Sequence, residues 1–423
     1  MSAKIAIIGS GPSGFYAADT FAKKLPDCHI DIIERLHTPF GLVRAGVAPD
    51  HQGTKNVTRQ FERTMQNENV RFIGNVEIGR DISYGELKEL YDIVFLAIGA
   101  AKDRKLGIAG EDLKGVYGSA AFVGWYNGHP DWVDLSPQLG PDGVAIIGNG
   151  NVAIDIVRVL AKSSEEMEGS DLCVHAEDAI RRANIKDFYM IGRRGAAQAA
   201  FTPSEANELG HLAHCHPVIL NDDLTQAPAE DDPKDQKNKE KNMEILRDLA
   251  SQERADKEKT LHMQFWAKPI AILGDTNVEG LRLERTTLVD GRVKGTGETF
   301  DIKVSTVISA IGYDTDGFDD LPMDGSIVKN NDGLVEEGVY VAGWCKHGPQ
   351  GTIPTNRKES MEMAKIAIER YNGPSDKLGP NGLDKLLTDR GIATVDFENW
   401  KRLETDENNQ AREGRVREKI VHF

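Results

Sequence analysis

The sequence predicts an α/β protein with two domains of the doubly wound type, and three observations lead to this prediction. A short aliphatic run, then glycines, then an amphipathic helical pattern occurs twice, as "KIAIIGSGPSGFYAADTFAKKL" from residue 4 and "VAIIGNGNVAIDIVRVLAKS" from residue 144. Further runs typical of buried strands lie at 92–100, 305–313 and 338–344. This alternation predicts parallel sheets covered on both faces. The length of 423 residues favours two domains over one.

The composition excludes several classes of protein. Apolar residues make up 39% and charged residues 28% of the chain, as in ordinary globular proteins. No apolar stretch reaches the roughly 18 residues of a membrane helix, and the net charge of −16 argues against nucleic-acid binding. The four cysteines form no CxxC pair, so neither a disulfide framework nor an iron–sulfur cluster is expected. The first aliphatic run begins almost at the N-terminus and leaves no room for a leader, so we expect a cytoplasmic protein.

One charged segment is predicted to carry no chemistry, and the C-terminal tail is predicted to extend a domain. Residues 221–262 are dense in charge and poor in apolar side chains, which predicts a solvated loop followed by an exposed helix. The tail from residue 374 is predicted to pack as an extension of a domain rather than to form one.

The first glycine turn, "GSGPSG", places Gly9, Gly11 and Gly14 in the GxGxxG pattern between a strand and a helix. Gly9 permits the tight turn, Gly11 lets a pyrophosphate approach the backbone, and Gly14 permits close packing of helix on sheet. The next strand, "HIDIIE", ends in Glu34, about 20 residues beyond the last glycine. A carboxylate there accepts ribose hydroxyls and repels a 2′-phosphate. This turn therefore suits FAD or NAD.

The second turn, "GNGNVA", places Gly148, Gly150 and Ala153 in the GxGxxA variant of the same pattern. The next clear strand, "DFYMIG", ends at Arg193 and Arg194, after an inserted helical segment at 163–185. Two guanidiniums at this strand end can clamp a 2′-phosphate through forked, charge-assisted hydrogen bonds. The second turn therefore indicates NADP(H).

The chain thus has one nucleotide site next to Glu34 and another next to Arg193 and Arg194. Binding of both FAD and NADP(H), with hydride transfer between them, best explains this combination. We expect two Rossmann-like domains, with the NADP domain inserted into the FAD domain. The FAD domain takes residues 1–103 and 321–423, the latter including the C-terminal extension, and the NADP domain takes 104–320.

Five stretches together resemble one known family: "GSGPSGFYAA", "ERLHTPFGLVRAGVAPDHQGTKNV", "GNGNVAIDIVR", "GRRGAAQAAFTPSE" and "GWCKHGPQGTIPTNR". The family is that of the adrenodoxin-reductase-like ferredoxin–NADP reductases, which are two-dinucleotide-binding flavoproteins. The resemblance implies an enzyme that passes hydride from NADPH to FAD and then single electrons to a ferredoxin-type iron–sulfur protein. It also implies contacts for individual residues. For FAD these are Ser13, Glu34, Leu42, Val76, Trp344, Gly351, Thr352 and Ile353; for NADP they are Arg104, Asn149, Gly150, Asn151, Val152, Arg193, Arg194, Glu205 and Gly351.

Proton transfer should accompany this chemistry, and His51 in "APDHQG" is a candidate relay near the flavin. A structural hydrogen bond that holds the loop is an equally good explanation of His51. Glu208, one turn beyond Glu205, is expected to pair with His51 only if the two domains bring them together.

Two sequence features depart from the family pattern. Lys346 and His347 stand where the family often has an arginine. The segment "GHLAHCHP" contains His211, His214, Cys215 and His216, which are residue types that bind zinc. However, alternate residues of a strand face different ways, and reductase chemistry needs no metal. We therefore expect no metal site here.

A ferredoxin-type partner is usually acidic, and this chain is acidic as well. Docking therefore requires a locally basic face on this chain. Arg44, Lys55, Arg59 and Arg63 are one candidate cluster, the last three spaced to share a helix face, although a solvated charge stripe is the more ordinary reading. We expect a monomer with no nucleic-acid or membrane partner. The main alternative is another two-nucleotide flavoprotein with a small-molecule acceptor: an NADPH diaphorase, a quinone reductase or a flavin monooxygenase. The Baeyer–Villiger fingerprint FxGxxxHxxxW is absent, which argues against the monooxygenase. A protein that only binds both nucleotides is a further alternative.

Overall fold

A computed structural model describes residues 2–25, 27–318 and 320–422. The chain divides into two compact units. Unit 1 comprises Met1–Val47, His51–Lys102 and Gly312–Phe423, and unit 2 comprises Ala48–Asp50 and Asp103–Ile311. Unit 2 is therefore formed mainly by one long insertion between two parts of unit 1, and it also includes the three residues that precede His51.

Strands and helices alternate along most of the chain. The strands are β1 Ala3–Ile8, β2 Cys28–Ile33, β3 Val70–Ile73, β4 Ile93–Leu96, β5 Lys102–Asp103, β6 Val116–Gly118, β7 Val144–Ile147, β8 Asp187–Ile191, β9 Cys215–Ile219, β10 Lys259–Gln264, β11 Ala267–Leu273, β12 Gly280–Val289, β13 Arg292–Ile302, β14 Thr306–Ser309, β15 Tyr313–Asp314, β16 Met323–Asp324, β17 Ile327–Val328, β18 Leu334–Glu336 and β19 Val339–Val341. The α-helices are α1 Pro12–Lys24, α2 Leu42–Ala45, α3 Gln52–Lys55, α4 Thr58–Thr64, α5 Tyr84–Leu90, α6 Ser119–Asn127, α7 Asn151–Ala161, α8 Val174–Ala183, α9 Pro203–Glu208, α10 Pro233–Ser251, α11 Trp344–His347, α12 Ile353–Glu369, α13 Pro380–Asp389 and α14 Phe397–Asn409.

The main sheet of unit 1 has the strand order β18-β19-β4-β1-β2-β3. All of its neighbouring strands are parallel except β18, which runs antiparallel to β19. From β1 the chain adds β2 and β3 on one side, whereas β4 lies on the other side. The strand order therefore reverses between β1 and β4, and ligands of open α/β sheets bind at such a point.

Both faces of this sheet are buried, as the sequence predicts. Ile5 and Ile7 of β1 pack in one apolar cluster with Phe15 of α1. Ala6 and Ile8, which point to the opposite face, pack in another cluster that includes residues of α5 and α13.

The main sheet of unit 2 has the strand order β6-β14-β7-β8-β10-β9, and its neighbours are parallel throughout. Its order reverses between β7 and β14. One face packs on helices: Ile146 of β7 shares a cluster with residues of α7. The other face is covered by a three-stranded antiparallel sheet, β11-β12-β13, since Ala145 and Ile147 pack with Ile272 and Leu281. The alternation of strands and helices in the sequence does not predict this second sheet.

The charged segment 221–262 is more ordered than its composition suggests. Its helix, α10, exposes most of its charged residues but buries Asn242, Met243, Leu246 and Leu249. Asn242 also donates a hydrogen bond to the carbonyl of Phe201 at 2.8 Å. The segment thus forms the predicted exposed helix, but four residues at helical spacing pack one side of α10 against the rest of unit 2. Within the described residues, no helix is both long and apolar enough to cross a membrane.

Candidate functional site

The first glycine turn lies where β1 meets α1, at the reversal point of the sheet in unit 1. Gly9 has φ +101°, and a Cβ there would lie 2.4 Å from the carbonyl oxygen of Ala97, directly after β4. A Cβ on Gly14 would lie 2.0 Å from the carbonyl oxygen of Gly9. A Cβ on Gly11, by contrast, would meet nothing within 4 Å. Packing therefore explains Gly9 and Gly14, while Gly11 borders open space in front of α1.

Glu34 closes one side of this turn. Glu34 directly follows β2, and it is only 8% exposed. Its Oε2 accepts hydrogen bonds from the backbone N–H of Ser10 at 3.0 Å and from the Ser10 hydroxyl at 2.7 Å. The backbone carbonyl of Glu34 accepts a hydrogen bond from Val76 at 3.0 Å, so Val76 lies at the same edge of the sheet.

A second segment, residues 38–46, lies against the glycine turn from the outside. The N–H of Phe40 donates to the carbonyl of Ser10 at 3.1 Å. A Cβ on Gly41 would lie 3.1 Å from the Cα of Gly11. Leu42, which begins α2, is 42% exposed although it is a large apolar residue. An exposed leucine beside an open glycine turn is consistent with a surface that a ligand covers.

The remaining residues assigned to FAD follow β19 in the same unit. A Cβ on Gly343 would lie 2.4 Å from the Ser13 hydroxyl, so Ser13 touches this turn. The indole N–H of Trp344 donates to the carbonyl of Gln350 at 3.0 Å, and its ring stacks on Tyr313 at 6.1 Å. Gly351 has φ +80°, and Thr352 and Ile353 then begin α12. Unit 1 therefore contains every residue that is assigned to FAD. One of these residues, Gly351, is also assigned to NADP.

Lys346 and His347, which depart from the family pattern, are engaged inside unit 1. Both pair with Glu359 of α12, at 3.0 Å from Lys346 Nζ and 2.9 Å from His347 Nε2. The same carboxylate accepts the N–H of Gly343 at 3.1 Å. These side chains therefore brace the turn that carries Trp344.

The second glycine turn repeats the geometry of the first at the reversal point of unit 2. A Cβ on Gly148 would lie 2.3 Å from the carbonyl oxygen of Ala310, directly after β14, and one on Gly150 would meet nothing within 4 Å. The N–H of Gly148 donates to the carbonyl of Ile191 at 2.9 Å, as that of Gly9 does to Ile33 at 2.8 Å. The third position is Ala153, which is fully buried on α7.

The backbone of Arg193 and Arg194 is fixed, whereas their side chains are exposed. The Arg193 carbonyl accepts the Thr286 hydroxyl at 3.0 Å, and the Arg194 carbonyl accepts the N–H of Trp266 at 3.1 Å. Both residues are exposed. Neither guanidinium has an ion-pair or hydrogen-bond partner among the residues that the structure describes. Two uncompensated cations thus stand at the strand end that corresponds to Glu34.

The other residues assigned to NADP lie around this turn. The amide oxygen of Asn151 accepts the N–H of Thr202 at 2.8 Å, one residue before α9. The carbonyl of Asn149 accepts the N–H of Ala200 at 2.8 Å, and Val152 follows on α7. Glu205 lies in the first turn of α9. Arg104 follows Asp103, whose partly buried carboxylate caps α6 by accepting the N–H of Ala120 at 2.8 Å.

A buried charge network in unit 2 is absent from the sequence-based prediction. Arg158 of α7 has a fully buried side chain that pairs with Asp50 at 2.5 Å, Asp155 at 2.9 Å and Glu208 at 2.5 Å. Lys162 also pairs with Asp50, at 2.6 Å. Asp155 and Arg158 are the charged residues of the otherwise apolar stretch "AIDIVRVLA", and they are the signal that could have indicated this network.

His51 lies in unit 1, where its carbonyl accepts the N–H of Thr54 at 3.0 Å at the start of α3. Its role as a proton relay, the role of Glu208 and the contacts assigned to each cofactor stay predictions.

The proposed basic cluster is wrong as a docking face. The Arg44 side chain is 9% exposed and paired with Glu407, and Lys55 is buried. Lys55 also ends α3, while Arg59 and Arg63 belong to α4, so the three do not share one helix. Arg59 and Arg63 remain exposed.

The residues of "GHLAHCHP" do not converge on a metal site among the described residues. Cys215 and His216 are consecutive on β9 and so face opposite ways. Burial raises the pKa of Cys215 to about 12. All four cysteines are buried, and none of them forms a disulfide within the part of the chain that the structure describes.

Known proteins resemble this chain over almost its full length. Residues 3–190 match the family model described as pyridine nucleotide-disulphide oxidoreductase. The chain is 39% identical to "NADPH:adrenodoxin oxidoreductase, mitochondrial" of Arabidopsis thaliana, over 99% of this chain and 93% of that protein. It is 36% identical to "NADPH-ferredoxin reductase FprA" of Mycobacterium leprae (strain TN), over 99% and 96%. The chain belongs to the adrenodoxin-reductase-like family of NADPH-ferredoxin reductases.

A solved structure agrees with this family membership. That of "Mycobacterium tuberculosis FprA in complex with NADPH" superposes with a TM-score of 0.94 at 35% identity, covering 100% of this chain and 98% of the other. The predicted family and fold class are confirmed. As a member of the adrenodoxin-reductase-like family, the chain is an NADPH-dependent flavoprotein oxidoreductase, and FAD and NADP(H) are its cofactors.

Proposed function

We propose that this protein is a ferredoxin–NADP reductase in which unit 1 holds FAD and unit 2 holds NADP(H). FAD bound in unit 1 would accept hydride from NADPH and would supply single electrons to a ferredoxin-type iron–sulfur protein. The relatives named above are reductases of adrenodoxin or ferredoxin by their names. The observation that carries the assignment of the two nucleotides is the contrast between Glu34 and the Arg193–Arg194 pair at corresponding strand ends.

The residues of unit 1 fit FAD. Gly11 leaves open space at the start of α1, where backbone N–H groups face a pyrophosphate. Glu34 is already oriented toward the turn by Ser10, and its negative charge disfavours a 2′-phosphate. Leu42 offers an exposed apolar surface beside the turn, and Trp344 and Gly351 lie in the segment that connects β19, the last strand of the sheet, to α12.

The residues of unit 2 fit NADP(H). Gly150 leaves the same open space at the start of α7. Arg193 and Arg194 are exposed, their backbone is held by Thr286 and Trp266, and together they offer a forked, doubly charged site for a 2′-phosphate.

Bound FAD supplies the chemistry that turns a two-electron donor into a one-electron donor. The protein binds and orients the two nucleotides. Gly351, with no side chain, would permit close approach of the nicotinamide. The His51 imidazole would accept or donate the proton that accompanies reduction and reoxidation of bound FAD. A cytoplasmic location and a monomeric state stay predictions of the sequence.

NADPH-driven reduction of cytochrome c, measured with and without a low-potential ferredoxin, tests this function. Strong stimulation by ferredoxin is the expected result. Turnover with ferricyanide or quinones and no effect of ferredoxin would instead identify a diaphorase, and the proposed acceptor would be wrong. Protein that binds both nucleotides but turns over no acceptor would contradict the enzymatic function altogether.

A further inference from the structure

The C-terminal helix α14 is bound to the segment 38–46 by one buried ion pair. Glu407 of α14 has a fully buried side chain, and it accepts two hydrogen bonds from Arg44 of α2, Nη1 to Oε2 at 2.9 Å and Nη2 to Oε1 at 2.5 Å. The two residues are 363 positions apart in the chain. A forked pair between buried partners fixes both orientation and distance.

An aromatic contact lies directly beside this pair. Trp400 of α14 is 1% exposed, and the Arg44 guanidinium lies 4.9 Å from the centre of its ring. Phe40 meets the same indole edge-on, with the ring centres 5.8 Å apart. Glu407 and Trp400 therefore contact the segment 38–46 at two places.

The segment 38–46 has a strained backbone that needs such support. Phe40 has φ +82°, which side chains of L residues rarely adopt, and Gly41 follows with φ +50°. A conformation of this kind is unfavourable by itself and persists only when its surroundings impose it. Phe40 and Gly41 are also the residues that lie against Ser10 and Gly11 of the first glycine turn.

The chain beyond α14 returns to the same carboxylate. The N–H of Ile420 donates to Glu407 Oε1 at 2.9 Å, and Arg417 Nη1 lies 3.4 Å from Glu407 Oε2. Lys419 is 5% exposed, and its ammonium donates to the carbonyl of Arg44 at 3.4 Å. The last residues of the chain thus hold both members of the Arg44–Glu407 pair.

We propose that Glu407, Trp400 and the C-terminal residues 411–422 are positioning elements for FAD, which hold the segment 38–46 in the conformation that receives it. This inference rests on the proposed binding of FAD in unit 1. If the segment 38–46 is released from its strained conformation, only a fraction of the protein molecules remains able to bind FAD. The apparent dissociation constant then rises by the inverse of that fraction.

The test compares Glu407→Gln with Asp31→Asn, measuring the FAD dissociation constant of the apoprotein by quenching of flavin fluorescence. Asp31 is a matched control, since it is a buried carboxylate of unit 1 that accepts a forked pair from Arg71 at 2.7 and 3.0 Å. We expect FAD to bind about tenfold or more weakly to Glu407→Gln. Asp31→Asn should lose comparable stability toward urea yet keep its affinity for FAD, and both variants should bind NADP+ normally.

Equal FAD dissociation constants for the two variants would overturn the inference while leaving the proposed function intact. Failure of the unaltered protein to bind FAD would instead contradict the proposed function. If Glu407→Gln does not fold, a chain ending at Gln410 takes its place, because it keeps α14 and the Arg44–Glu407 pair but loses the contacts of Arg417, Lys419 and Ile420. Unchanged affinity for FAD in that shortened protein would overturn the inference.

Discussion

The Ser10 hydroxyl donates a hydrogen bond of 2.7 Å to Glu34 Oε2, and this contact joins the first glycine turn to the end of β2. At the corresponding place in unit 2, the residues after β8 are Gly192 and the Arg193–Arg194 pair. A Cβ on Gly192 would lie 1.7 Å from the side-chain nitrogen of Asn149, so the glycine makes room for the second turn. Two turns with the same backbone hydrogen bond therefore carry opposite charges.

Replacing Glu34 by Gln should weaken FAD binding without affecting NADP+. The amide keeps the size of the side chain but loses its charge, and hydrogen bonds to a charged acceptor contribute about 1.5–3 kcal/mol. The FAD dissociation constant should thus rise roughly 10- to 100-fold. Titration calorimetry with each nucleotide measures the effect. Glu89→Gln, an exposed residue of α5, should change neither constant.

Replacing both Arg193 and Arg194 by Ala should narrow the preference for NADPH over NADH. The double variant loses the charge-assisted bonds to the 2′-phosphate, so kcat/KM for NADPH should fall roughly 10- to 100-fold or more. NADH lacks this phosphate and should be used nearly as before. Steady-state ferricyanide reduction with each nucleotide is the assay. Arg181→Ala/Arg182→Ala, an exposed arginine pair on α8, is the control. An unchanged NADPH/NADH ratio in the first variant would refute the assignment.

Gly11 and Gly14 should respond differently to substitution by Ala. Gly11 has φ −73° and open space around it, so Gly11→Ala should leave the stability of the apoprotein within about 0.5 kcal/mol and weaken only FAD binding. Gly14→Ala places a Cβ 2.0 Å from a backbone oxygen, and it should destabilise unit 1 by about 1–3 kcal/mol. Urea unfolding of both apoproteins distinguishes them. Equal loss of stability would mean that the space at Gly11 is not free.

Local patterns in the sequence predict the elements around both turns. The aliphatic runs before Gly9, Gly148 and Arg193 form β1, β7 and β8, and each turn lies where a strand meets a helix. These signals are local because strand, turn and helix are adjacent in the chain. The same holds for Glu34, which directly follows β2.

Contacts between distant residues leave no such signal. The sequence predicts Arg44 as part of a basic docking cluster, yet Arg44 pairs with Glu407, 363 residues away. Arg158 likewise pairs with Asp50, 108 residues away. The sequence does not predict the antiparallel sheet β11-β12-β13, because much of β13 is exposed and its sequence lacks an aliphatic run.

The Glu86–Arg390 pair should make a pH-dependent contribution to the stability of unit 1. Ser83 is the N-cap of α5, and the Glu86 carboxylate completes its capping box. The hydrogen bond from Arg390, together with that from the Ser83 N–H, lowers the pKa of Glu86 to about 2. A carboxyl with a lowered pKa stabilises the fold above its unfolded pKa of about 4.3. That contribution is lost as the pH falls through this value toward 2.

Glu86→Gln should therefore lower the urea midpoint at pH 7, and the difference from the unaltered protein should shrink as the pH approaches 2.5. Urea unfolding at both pH values measures this dependence. Glu89→Gln, on the same helix, should shift the midpoint at neither pH. A Glu86→Gln deficit that stays constant across this range would show that the carboxylate charge is not responsible.

A crystal structure of the protein with FAD and NADP+ bound would locate both nucleotides. We expect the adenosine ribose of FAD to lie within hydrogen-bond distance of Glu34. We also expect the 2′-phosphate of NADP+ to lie between the guanidiniums of Arg193 and Arg194. Exchanged positions of the two nucleotides, or a 2′-phosphate that contacts neither arginine, would contradict the assignment of FAD to unit 1 and NADP(H) to unit 2.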